Sequence, residues 1–175
     1  MPIVRLMKFI LKYIYVFIVV LMLCIVAAFF AYDNAYLNIV VRDGMTARAE
    51  CILNDTSQET TVYKLSSLFS TNYIYNVYDT ETVPFDNYTA QSFRYSINVG
   101  IAWVLPWSKS CSVEVEERVL ELMQKYTGED KETDEMKKNR PQWVDGVYKV
   151  NCVKKNGVWK IDSVELVEKL DPVEY

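Results

Sequence analysis

Hydrophobic and polar positions follow different periods along this chain. From Tyr13 to Tyr32, YIYVFIVVLMLCIVAAFFAY, 20 residues pass without a charge. At about 1.5 Å of rise per residue they form about 30 Å of helix, the thickness of a bilayer's hydrocarbon core. Over residues 35–53 apolar side chains recur at three- and four-residue steps, at Leu37, Val40, Val41, Met45, Ala49 and Ile52. This spacing predicts an amphipathic helix, able to continue the span and weakened at Gly44, with Arg42, Asp43 and Arg48 on its wet face. Thr56-Ser57-Gln58-Glu59 has the spacing of a capping box, and Val62, Leu65 and Leu68 or Phe69 give a second, shorter helix its apolar stripe. Residues 72–86 are aromatic and turn-rich, with room for a short strand over Ile74 to Tyr78.

Beyond this point the period is two. Phe93, Tyr95, Ile97, Val99, Ile101, Trp103 and Leu105 alternate with Arg94, Ser96, Asn98 and Gly100, which predicts one strand from 93 to 105 with a single buried face. Pro106 to Lys109 is its turn, and Cys111, Val113 and Val115 alternate with Ser112, Glu114 and Glu116 on the return. Residues 127–142 are mixed in charge and lack an apolar stripe, so they read as a surface loop, with Lys137, Lys138 and Arg140 solvated. Trp143 to Lys154 is a third strand, and Asn156-Gly157 is a strong signal for a two-residue hairpin. That turn sets Lys155 opposite Val158, Lys154 opposite Trp159 and Cys152 opposite Ile161. The later shift of apolar positions to Val164 and Leu166 predicts a bulge near Asp162-Ser163.

Charge distribution orients the span. Arg5, Lys8 and Lys12 precede it and no acidic residue occurs before Asp33, so residues 1–12 are expected in the cytoplasm and residues 33–175 outside, as one extracytoplasmic domain. A cleaved signal peptide is the alternative, with Val26-Ala27-Ala28 as its small residues. The apolar run continues through Phe29, Phe30 and Ala31, however, which favours a retained anchor. The domain holds 16 basic against 23 acidic residues, a net charge of −7 that matches nucleic acid poorly.

The same composition restricts chemistry. The chain has no His and no CxxC, which removes imidazole catalysis and most zinc sites; no cofactor or metal is expected, and no catalytic constellation is visible. Glu114, Glu116 and Glu117 read as a solvated strand face. Cys51, Cys111 and Cys152 permit at most one internal disulfide; Cys111 and Cys152 fall on core-facing strand positions, where reduced thiols are expected. The sequons at Asn54 and Asn87 read as ordinary loop residues. Large rings presented on loops make good anchors for a protein partner, which singles out Tyr73, Tyr75, Tyr78 and Trp107.

The order of two helices and long antiparallel strands over residues 35–168 is α+β. Together with the closing hairpin YKVNCVKKNGVWKIDSVEL it resembles the nuclear transport factor two-like superfamily, whose cystatin-like fold wraps a curved sheet into a cone around its first helix. A membrane-anchored form is similar to extracytoplasmic domains of bacterial secretion and conjugation assembly factors. The resemblance implies a scaffold that binds another membrane or envelope protein. Its alternative implication is a small-molecule or isomerase-like site in the cone cavity, where Asp43, Tyr95 and Tyr148 would meet.

Overall fold

A computed structural model describes residues 2–54, 58–76, 83–85, 87–129 and 131–171. Its first element, α1 (Pro2–Leu53), is one unbroken helix of 52 residues, about 80 Å long. From Met7 to Tyr32 its side chains are exposed almost all round, and this part is long and apolar enough to cross a membrane. From Leu37 onward the same helix is the centre of the domain's core: Leu37, Val41, Met45, Ala49 and Ile52 are all buried. Asp33 and Asn34 are therefore helical residues that join the two parts. Gly44 leaves the helix unbroken. It lets the sheet approach, because a Cβ there would lie 2.5 Å from the Cδ1 atom of Ile161.

The helix α2 (Gln58–Ser66) buries Thr61 and Leu65. The capping box proposed for its start, like Tyr78, lies outside the described residues. Residues 68–70 then form a short parallel bridge to the sheet, with Ser70 N–H donating to Ile161 C=O at 2.7 Å and Ile161 N–H to Leu68 C=O at 2.9 Å. Next comes α3 (Thr71–Asn76), a helix that takes in Ile74 and Tyr75 of the stretch where the sequence left room for a short strand. The hydroxyl of Ser70 accepts from Tyr73 N–H at 3.3 Å and starts the turn, and Tyr73 and Ile74 both pack into the core.

The sheet is an open antiparallel meander in the order β1 (Tyr88–Val99), β2 (Ser110–Tyr126), β3 (Gly146–Lys155), β4 (Val158–Lys169). One face packs on the domain half of α1 and on α3, with α2 set against those two helices; the other presents residues such as Arg94, Ser112, Glu114 and Lys149 to solvent. Asn156 and Gly157, with φ of 53° and 81°, make the hairpin turn with the expected pairing, and the register slips at Asp162 as the apolar pattern requires.

The first strand is shorter than its alternation suggests. It ends at Val99, and beyond it Ile101, Trp103 and Leu105 face outward while Ala102 and Val104 are buried. Gly100 allows this inversion: its N–H donates to Glu114 C=O at 2.9 Å, and a Cβ there would sit 2.9 Å from that same oxygen. Asn34 Oδ1 then accepts from Ala102 N–H at 3.0 Å, holding the loop against α1. The connection between β2 and β3 carries a short helix, α4 (Asp134–Lys138), whose Thr133 cap accepts from Met136 N–H at 3.3 Å.

Candidate functional site

The helix-facing side of the sheet holds one group of polar side chains deep in the domain. Arg48 continues the buried stripe of α1, three residues after Met45 and four before Ile52, and Glu117 continues the buried face of β2 two residues after Val115. Both are buried, contrary to the solvated positions their charge suggests. Arg48 Nη1 lies 3.4 and 3.3 Å from the two carboxylate oxygens of Glu117, and Tyr95 donates its hydroxyl to Glu117 Oε1 at 2.7 Å. The guanidinium also sits over two rings, 5.5 Å from the centroid of Trp143 and 5.7 Å from that of Tyr148. Tyr148 in turn donates to Val144 C=O at 2.6 Å.

Of the three residues expected to meet in a cavity, Tyr95 and Tyr148 do converge, and Asp43 does not. Asp43 is exposed on the far side of α1, and the carboxylate among the rings is Glu117. Burial, followed by the charge of Glu117, raises the Tyr95 pKa well above its ordinary 10.0, so the phenol stays a donor. With the Arg48 cation and the Tyr95 hydroxyl both directed at Glu117, this carboxylate is engaged as an acceptor and not poised as a base. The sequence signal that could have located the pair was periodicity alone, since both residues extend apolar stripes in phase.

A second feature lies at the end of the sheet farthest from the span. The last residues of β2, the segment 137–145 and the end of β4 enclose a groove of about 940 Å³, with Leu122, Met123, Lys138, Arg140, Trp143 and Lys169 among its walls. Its basic cluster is partly neutralised. Arg140 forks onto Glu132 at 2.8 and 2.9 Å, holding that carboxyl below the usual range, and Lys137 pairs with Asp134 at 2.9 Å.

The aromatic residues proposed as contacts separate. Tyr73 is buried and stacked on Phe69 with centroids 4.4 Å apart, so it belongs to the core, whereas Tyr75 and Trp107 are exposed. Cys111 and Cys152 are direct partners across β2 and β3, both free. The hydrogen bond between them lowers the Cys111 pKa and raises that of Cys152. No group of three or more His, Cys, Asp or Glu side chains among the described residues could hold a metal ion. Comparison with protein families, curated proteins and solved structures finds no match to this chain.

Proposed function

We propose that this chain is a single-pass membrane protein of the cell envelope. Its N-terminus is cytoplasmic, and its extracytoplasmic domain, a cone-like domain of the nuclear transport factor two-like type, binds another membrane or envelope protein as part of an assembly. The observation that carries the proposal is the unbroken α1: the same helix supplies an exposed apolar span and the buried centre of the domain. A domain built on the end of its own anchor is confined near the bilayer, where weak contacts reach useful occupancy through effective concentration. The cone-like reading draws support from helices stacked on one face of a sheet whose strands slip register at several points, since bulges bend strands. The binding reading draws support from the core, where Glu117 is committed to Arg48 and Tyr95, and from the distal groove, which mixes apolar and charged walls as partner-binding surfaces do.

Crosslinking and affinity recovery of the full chain from its native membranes test this. A specific envelope protein should be captured, and Met123→Glu, in an exposed wall of the groove, should reduce that capture without changing the amount of chain in the membrane. Recovery of the chain without any crosslinked protein would overturn the proposal.

A further inference from the structure

In a four-strand meander the β1–β2 and β3–β4 connections lie at the same end of the sheet. Here that end is where the span leaves the domain. Lys154, at the mouth of the β3–β4 hairpin, pairs with Asp33 at 3.4 Å, and Asn34 accepts from Ala102 in the β1–β2 connection at 3.0 Å. The connection of residues 100–109 therefore sits beside the last residues of the apolar helix. The ring of Trp103 approaches that of Phe30, within the span, with centroids 5.7 Å apart.

This connection is built with its apolar residues pointing out. Ala102 and Val104 are buried and fix its orientation, which leaves Ile101, Trp103, Leu105 and Trp107 exposed at 67%, 83%, 48% and 71%. Hydrogen bonds between Leu105 and Ser108, at 2.8 Å from Ser108 N–H to Leu105 C=O and 3.2 Å from Leu105 N–H to Ser108 Oγ, close the turn that presents Trp107. Lys109 and Lys155 are exposed at the same end. Four large apolar side chains held outward, two of them tryptophans, with lysines close by, are the composition of a segment resting in the boundary between headgroups and acyl chains.

We propose that residues 100–109 form a second membrane contact, in which Trp103 and Trp107 insert into the interfacial layer of the bilayer crossed by α1. The occupant of this surface is lipid because the apolar patch is continuous with the span through the Phe30–Trp103 contact. The inference rests on the anchor part of the proposed function, and it assigns Trp107 to the bilayer instead of to a protein partner. Span and loop together hold the domain at two points, so that its distal groove faces away from the membrane.

The test uses the purified full chain in vesicles of lipids brominated either near the glycerol end of the acyl chain or near its methyl end. Two of the four tryptophans lie in the loop and the other two, Trp143 and Trp159, in the folded domain. Lipid brominated near the glycerol end should quench the emission more strongly than the deep label. That loss should disappear in the Trp103→Phe, Trp107→Phe variant, whose replaced rings are exposed and whose fold can be checked by circular dichroism. Equal quenching in wild type and variant overturns the proposal. Protection of the loop tryptophans in native membranes without quenching in the purified vesicles also overturns it, and assigns the surface to a partner protein. Alkaline washing separates the two readings: a chain that washes off the vesicles refutes the anchor and the loop together, whereas a chain that floats unquenched refutes the loop alone.

Discussion

At Arg48 and Glu117 a cation and a carboxylate share a dry site. Desolvation makes each costly by itself, and their mutual contact, with the Tyr95 hydroxyl and the rings of Trp143 and Tyr148, works against that cost. Removing one partner should be far worse than removing both. Glu117→Gln is expected to destabilise the domain by about 3–5 kcal/mol, because it takes one buried carboxylate away from the buried guanidinium it contacts. Arg48→Met combined with Glu117→Leu should lose much less than the sum of the single changes. Denaturant unfolding of the full chain in detergent measures both, and simple additivity would show that the pair is not coupled. The residues were legible by position and misread by type. Arg48 and Glu117 fall in phase with their buried neighbours, but charge ordinarily outweighs phase, and nothing local announces a partner 69 residues away.

Among the elements, the pairing of β3 and β4 next to their turn was readable to the residue, since Asn156-Gly157 fixes the turn and the turn fixes the register, although β3 begins at Gly146 and not at Trp143, and a second register shift falls at Val147. The end of β1 was not. Its alternation runs on past Gly100, and only the close approach of Glu114 shows why the buried phase passes from the odd to the even positions. Similarly, α3 is decided by its Ser70 cap and by Tyr73 and Ile74 finding the core, which outweigh the aromatic content that suggested a strand. The pairing of β2 and β3 bears on the thiols. Lys154 N–H donates to Lys109 C=O at 2.8 Å, two residues from the Cys111–Cys152 pair in the same register, so this pair also occupies a hydrogen-bonded position. Such positions hold opposed Cβ atoms near the wide end of a range of about 4.5–5.5 Å, beyond the separation a disulfide prefers. Alkylation and mass analysis of protein taken from its native compartment should find Cys111 and Cys152 reduced; an oxidised pair would contradict this register.

For the whole molecule, the unifying feature is that the long apolar segment and the core are one helix. The apolar segment was evident from its 20 uncharged residues and the domain helix from its three- and four-residue steps, but their joining into a single rod depends on Asp33 and Asn34 being held in helical form. The structure does this through Lys154 and Ala102, contacts made with residues more than sixty positions later. A domain fixed in this way follows the orientation of its span, so topology decides what it can meet. The most direct measurement is protease digestion of intact cells or spheroplasts that carry an epitope ahead of Arg5. The expected result is loss of the domain beyond Tyr32, with the epitope and span protected and still in the membrane. Full protection of residues 33–175, or release of an intact domain without the span, would contradict the account.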